Sequence, residues 1–461
     1  MLLASQLTAR FAAVYSQRKS GYVLRSARVL GALGYSLEVL EPGEGLSERG
    51  TQDDKLYSGD VLRKLFGKME RNAKLSEADK AAAVPGGAEV KVRKRSSRRA
   101  VKKVEEDEPS AAARSAAVGR EMLDWYNTSV GESLLDYAQT GKGRRIHLLD
   151  TTKIEVELEA GNYECSGVVR DEDGNLTRGY KLGTLRTLLD NAGILAQVTV
   201  GQIQTHDNKL CAPMLRESKA LRAGDLLIND RGFVDGEEVT HLKRERGVDV
   251  IVPLRKDMLS YGEAVAIACA AKRWNRHPTR DKQEIAFVEG VEHVWNECQV
   301  KLNACVIRDW NKEKDCWEYI VLTTTDVQLS ARQIVRHYEL RPEIEQDYEQ
   351  LKSGGWLLQK LTTTRYSQIV FYLLMVVLAY SLYQLFTNTQ AGAKFAGKTR
   401  QAIAFEQLRT RRTHVIVYAG GYFEIFETLT FVHLVLNLPP QVQANLSHWL
   451  ERHLGQIRGP G

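Results

Sequence analysis

Six cysteines in 461 residues (Cys165, Cys211, Cys269, Cys298, Cys305, Cys316) include no C-x-x-C pair and lie far apart. They offer no basis for a zinc ribbon or a disulfide framework, and they fit a reducing compartment. A Walker A lysine loop, a G-x-G-x-x-G turn and an H-E-x-x-H helix are also missing, so ATP, a dinucleotide and a protease zinc are unsupported. No secretory apolar region with a small-residue cleavage site is visible, nor any internal repeat. Neither charge sign dominates: 64 Lys and Arg face 58 Asp and Glu, giving +6. That balance permits a nucleic-acid partner without demanding one. Long apolar runs are scarce. The exception, Ile369–Phe386, is 18 uncharged residues at the lower limit for a membrane span. It carries Ser381, Gln384 and three tyrosines and has no apolar companion, so it reads as a buried core helix and not as a span.

What is present is an ordinary globular mixture, 43% apolar and 26% charged, long enough for roughly three domains. Residues 1–84 read as a helical, DNA-binding region. Residues 1–37 hold five cations and no acid, the composition of a presequence or of a basic arm on phosphates. Asp60–Met69 has helical apolar spacing, and Ser76-x-x-Asp79 is a capping box. Residues 85–118 form a charged linker. Its Lys91–Lys103 run has eight cations in thirteen positions and precedes Glu105–Glu108, a solvated linker or a backbone-tracking arm.

From residue 119 the pattern turns to mixed α/β. A helix over Arg120–Tyr137 leads to strands over Arg145–Val156, Tyr180–Thr187, Ile194–Ile203, Asp225–Asp230 and Val248–Pro253. Helices are expected near Ala212–Leu221 and Gly236–Arg246. Asp171–Asn175 resembles a calcium loop, but Gly174 falls where that motif needs a side chain, so a hairpin turn is expected. Residues 256–327 read as a β-rich insertion, and one helix is expected over Ala331–Lys352. Residues 391–461 are mixed, a candidate dimerisation region. The fold class is a mixed sheet with helices on both faces.

Three carboxylates stand out. Asp150 closes the strand pattern LLD, Asp230 closes LIND, and Glu345 lies on the helix after the insertion. Carboxylates at strand ends are fixed by the ladder yet exposed at the sheet edge, where they can share a hard cation such as Mg²⁺. Two ions about 4 Å apart can serve phosphodiester chemistry. Tyr338, Arg341, Glu345 and Lys352 follow at spacings of three, four and seven, one stripe of a helix. A solvated face with other acids nearby (Glu339, Glu343, Asp347, Glu349) is the plain alternative, and Pro342 either starts a helix there or kinks one.

The stripe resembles the DDE transposases of bacterial insertion sequences, in the group marked Y-x2-R-x3-E-x6-K. All four positions are present as Tyr338, Arg341, Glu345 and Lys352. LLDTTK around Asp150 and INDRGF around Asp230 resemble that family's two aspartate segments, and Thr205–Asp207 another of its recurring stretches. The separations of 80 and 115 residues fit a group with a β-rich insertion. The likeness covers about residues 145–390. It implies an RNase H-like core with Asp150, Asp230 and Glu345 as catalytic metal ligands for Mg²⁺, with Mn²⁺ able to substitute. It further implies DNA contacts by Tyr338, Arg341 and Lys352 and a flipped base stacked on a tryptophan of the insertion (Trp295, Trp310 or Trp317), of which Trp317 is chosen as nearest Glu345. The implied partners are double-stranded transposon ends, target DNA and a second copy of the chain, in the cytoplasm at the nucleoid, with no membrane. His206 reads as structural, and Thr362–Arg365 reads equally well as phosphate donors or as a helix start. The rivals are an RNase H-like nuclease without strand transfer and a DNA-binding derivative that has lost its chemistry.

Overall fold

The computed structural model describes residues 59–83, 110–138, 143–158, 163–170, 174–190, 192–390, 392–393, 414–419, 422–427, 434–435, 437–446 and 448. The basic segment 1–37, the Lys91–Lys103 run and most of the 171–175 turn lie outside them. The chain divides into two compact units, residues 64–397 and residues 1–63 with 398–461. In the latter, two strands (His414–Ala419 and Tyr422–Glu427) pair antiparallel.

The larger unit is built on a ten-stranded sheet. Its strands are β1 (Ile146–Val156), β2 (Gly167–Arg170), β3 (Leu176–Leu188), β4 (Gly193–Gln202) and β5 (Leu226–Asn229). After them come β6 (Asp249–Pro253), β7 (Asn275–Arg276), β8 (Glu284–Glu289), β9 (Asn303–Asn311) and β10 (Cys316–Thr324). Their order is β2-β3-β1-β5-β6-β10-β9-β8-β7, with β4 also on β3. β1, β3 and β4 form an antiparallel meander, whereas β5 and β6 run parallel to β1. Such parallel strands need apolar residues on both faces, and LLIN and DVIVP are buried throughout. This mixed α/β sheet is consistent with an RNase H-like core.

The strands of the β-rich stretch 256–327 continue the central sheet, β10 pairing antiparallel with β6. Thr323 and Thr325 reinforce that seam, Thr323 donating to the Val252 carbonyl at 2.9 Å and Thr325 accepting from Val250 N–H at 3.0 Å. An unpaired β6 edge would otherwise leave its polar groups unsatisfied. The helix expected over Ala331–Lys352 is two helices, α8 (Ala331–Tyr338) and α9 (Pro342–Ser353). Pro342 is the first residue of α9, where its missing N–H costs nothing, but its ring would clash with a continuous preceding turn.

The remaining helices are α1 (Gly59–Asn72), α2 (Glu77–Ala82), α3 (Ala111–Trp125), α4 (Gly131–Tyr137), α5 (Asp207–Arg216), α6 (Gly236–Arg244), α7 (Leu259–Ala271) and α10 (Tyr366–Thr387). The capping box forms at Ser76 and Asp79 as expected. α5 begins five residues before the expected helix, capped by His206. α7 had no counterpart in the sequence reading. α10 is long and apolar enough to cross a membrane, yet it is largely buried within the protein, against α3 and β4. Its polar groups bond inward: Ser381 accepts from Leu195 N–H, and Ser367 donates to Glu70 on α1. Asn127, in a π-helical turn after α3, seals edge strand β4 by bonding both backbone groups of Val198.

α5 and α9 occupy opposite faces of the sheet. A Cβ at Gly183 on β3 would meet Cys211 Sγ of α5 at 2.6 Å, while the adjacent Thr184 bonds Tyr348 of α9. Alternation along the strand separates the two neighbours.

Candidate active site

Parallel pairing of β1 with β5 ends at Leu149 and Asn229. The next residues along the two segments are Asp150 and Asp230. Asp230 lies just past β5, as expected, and its Oδ1 accepts from Arg231 N–H at 2.7 Å. Asp150, however, does not end its strand, because β1 continues to Val156 through its pairing with β3. Its Oδ1 accepts from Thr151 N–H at 2.8 Å. Glu345 comes from the first turn of α9.

One guanidinium joins all three. Arg341 Nη2 lies 3.5 Å from Asp150 Oδ2 and 3.2 Å from Asp230 Oδ2, and its Nη1 donates to Glu345 Oε1. Side-chain exposure is graded: 14% for Asp150, 34% for Asp230 and 53% for Glu345, so the cluster opens on the Glu345 side. Burial pushes the Asp150 carboxyl up to about 6; the Thr151 N–H and Arg341 oppose this, and the Asp230 and Glu345 charges add to it. Desolvation works against the Arg341 charge, but the surrounding carboxylates more than offset it and push its pKa above the usual value.

α9 is pinned to the sheet behind these groups. The Tyr348 hydroxyl donates to the Asp150 carbonyl at 2.7 Å and bonds Thr184 Oγ1, also at 2.7 Å. Thr184 is the residue paired with Asp150 across β3 and β1. Two rungs away, Arg186 donates from Nε to Asp347 and from Nη1 to Glu343, each at 2.6 Å. Tyr380 of α10 donates to the other Asp347 oxygen.

The family model described as a transposase DDE domain matches residues 142–382, just over half of the chain and the stretch that contains all of these groups. The chain belongs to the transposase DDE-domain family. A search of curated proteins finds no match.

Transposases of this family act on DNA and generally use divalent metal ions. The donor set fits such an ion: three carboxylates from separate elements already surround one cation, with no sulfur or imidazole among them. Among the described residues, no three Asp, Glu, His or Cys side chains stand ready to close on an ion as they are. Here the Arg341 guanidinium lies between the candidates.

The rest of the transposase stripe disperses because of the break at Pro342. Tyr338 ends α8, half-buried near Asp230; burial first, then that charge, pushes its phenol up to about 12. Lys352 sits at the other end of α9, beside Glu155 and Lys153 of β1, and burial lowers its pKa. Trp317 lies on the part of β10 that overhangs the carboxylate end of the sheet. It stands five residues beyond the Leu322–Pro253 rung, about 17 Å along the strand. Its ring meets Trp310 edge-on at 5.1 Å, and the Arg308 guanidinium covers it at 4.3 Å. Trp295 is buried, whereas Trp310 is 41% exposed. His206 caps α5 through Nδ1, and Thr363 bonds Gln368 at the start of α10.

Several neighbours of the site went unread in the sequence. Asp347, grouped there with solvated acids, is buried and paired. Asp207 accepts from Thr151 Oγ1 at 2.8 Å and from Lys181 at 2.9 Å, bracing the residue next to Asp150. A Cβ at Gly232, in the turn after Asp230, would come within 3.1 Å of Asp207 Oδ2. Thr205–Asp207 was the only signal for this brace, and nothing in it pointed to Lys181.

Proposed function

We propose that this transposase cuts the ends of a mobile element and joins them to target DNA, with Asp150, Asp230 and Glu345 as its metal ligands. The observation that carries the reading is the convergence of those three carboxylates on one cation at the end of the parallel strands. Mg²⁺ ions, or Mn²⁺ in their place, would supply the Lewis acidity that activates an attacking oxygen and neutralises a leaving one in a two-metal reaction. The chain's own residues do the rest. Asp150 is held within β1, Asp230 follows directly on β5, and Glu345 is carried in on α9. Arg341 offers a fork to phosphate oxygens, and Lys352 a point charge farther along the same helix. Tyr338 borders the same centre, and Trp317, on the overhanging hairpin, is the stacking platform for an extruded base.

Cleavage that frees a 3′-OH, attack of that hydroxyl on the opposite strand to form a hairpin, and reopening before end joining make a cut-and-paste route. In this reading residues 1–84 recognise the end, the Lys91–Lys103 run tracks the DNA backbone, and residues 391–461 join two copies in a synaptic complex, in the cytoplasm at the nucleoid.

The test is incubation of the full chain and Mg²⁺ with a duplex ending in the inverted repeats that flank its gene, resolving nicks, hairpins and joined products. Nicks alone would mean a nuclease without strand transfer. Binding with no product would mean a DNA-binding derivative.

A further inference from the structure

We propose that Arg341 is a positioning residue that holds the three carboxylates together before a divalent ion arrives and must leave them for the ion to bind. The inference rests on the reading of Asp150, Asp230 and Glu345 as metal ligands. Its own support is the way this guanidinium is held. Arg341 spreads one Nη over two aspartates and the other over Glu345, the arrangement of a counter-cation shared among three anions.

The comparison with Arg186 shows why Arg341 is displaceable. Arg186 is buried and commits Nε and Nη1 to carboxylates that are themselves fixed on α9, one of them, Asp347, held by Tyr380 as well. Glu343 is 40% exposed, but the Asp347 pair is closed to solvent and ions on both sides. Among the described residues, no partner meets the buried Arg341 Nε. Two of its three partners are a third or more exposed, so solvent and ions reach the pairs.

A doubly charged ion and a guanidinium cannot use the same three oxygens. The released guanidinium then needs another anion, and a DNA phosphate at the mouth of the site is the group whose geometry it fits. Metal binding and DNA binding become coupled through one side chain. DNA that takes Arg341 raises the affinity for metal, and metal that evicts Arg341 raises the affinity for DNA by the same factor.

The test measures Mn²⁺ binding to the DNA-free full chain by electron paramagnetic resonance, with no turnover involved. Arg341→Gln is expected to bind Mn²⁺ roughly 10-fold more tightly than the wild type, within the usual span of such couplings. Arg341→Lys, which has no fork to bridge three carboxylates, should lie between them and serves if the Gln variant fails to fold. A short duplex of arbitrary sequence should tighten Mn²⁺ binding by the wild type and leave Arg341→Gln unchanged. Adding Asp230→Asn to Arg341→Gln should remove the gain. Equal, measurable affinity in wild type and variants overturns the role of Arg341 alone. Absence of Mn²⁺ binding in all of them overturns the metal-ligand reading and the inference with it.

Discussion

The Tyr348 hydroxyl donates to the backbone carbonyl of Asp150 at 2.7 Å, tying the helix that carries Glu345 to the strand that carries Asp150. Because the bond reaches main chain, it fixes where α9 lies along β1 whatever the Asp150 side chain does. Thr184, the residue paired with Asp150 on the neighbouring strand, bonds the same hydroxyl, so the phenol bridges two strands and a helix. Burial raises its pKa well above the ordinary tyrosine value and keeps the donor protonated at any working pH.

Tyr348→Phe keeps the ring and deletes both bonds. We expect a loss of about 1–3 kcal/mol in urea unfolding, since the Asp150 carbonyl and Thr184 lose a buried partner. We also expect weaker Mn²⁺ binding and slower cleavage at saturating DNA, as Glu345 loses its fixed distance from Asp150. Unchanged Mn²⁺ affinity in a destabilised variant would reduce Tyr348 to a packing residue.

Asp150→Asn, Asp230→Asn and Glu345→Gln are each expected to abolish nicking, hairpin formation and joining while DNA-end binding persists, because every step would use one ligand set. A gel shift run beside a cleavage assay separates the two properties. Near-normal nicking in any variant removes that residue from the ligand set.

The two aspartates were legible in the sequence because each follows closely on a short apolar stretch, Leu148–Leu149 before Asp150 and Leu226–Ile228 before Asn229 and Asp230, and a parallel strand buried on both faces leaves that trace. Helix α10 was legible for a related reason, an uncharged run too polar at Ser381 and its tyrosines to need lipid. The break at Pro342 was seen as one of two outcomes. The placement of α9 decided it, and with it the distance between Tyr338 and Lys352. The brace behind the site was hidden. Asp347 and Glu343 look like any solvated acids until β3 brings Arg186, 161 and 157 residues away in sequence, against them. Likewise nothing local announces that the strands after residue 256 will pair with β6.

His147 supplies a pH prediction for the base of the same strand. It is fully buried on β1, donating from Nε2 to Asp225 and accepting at Nδ1 from Thr187. Burial lowers its pKa, Arg145 and Arg222 add to that, and Asp225 opposes without prevailing. Below about pH 6.5 the unfolded chain therefore binds more protons than the folded one, and stability falls as pH drops. Asp225 acts in a lower window. Burial raises it, but bonds from His147, Arg145 and Arg222 N–H hold it well below the usual carboxylate range, and its contribution is lost as pH falls below about 4. The urea midpoint should drop between pH 7.5 and 5.5, and His147→Gln should shrink that drop. An identical drop in the variant would assign the effect to other histidines.

Lys352 gives the sharpest separation between a transposase and a plain nuclease. It lies seven residues beyond Glu345, about 10 Å along α9, and its charged neighbours are Glu155 and Lys153, with none of the three carboxylates among them. Too remote to steady the first bond broken, it is placed to hold a phosphate of DNA that must be bent afterwards. Partial burial makes that charge costly to keep without an anion, which favours a phosphate partner over bulk water. Lys352→Ala should therefore leave first-strand nicking near normal and depress hairpin formation and joining by roughly 10- to 150-fold, the equivalent of one charge-assisted contact. Products resolved on a denaturing gel give each step separately. Equal loss at every step would place Lys352 in end binding as a whole, and no loss at any step would leave it a surface cation paired with Glu155.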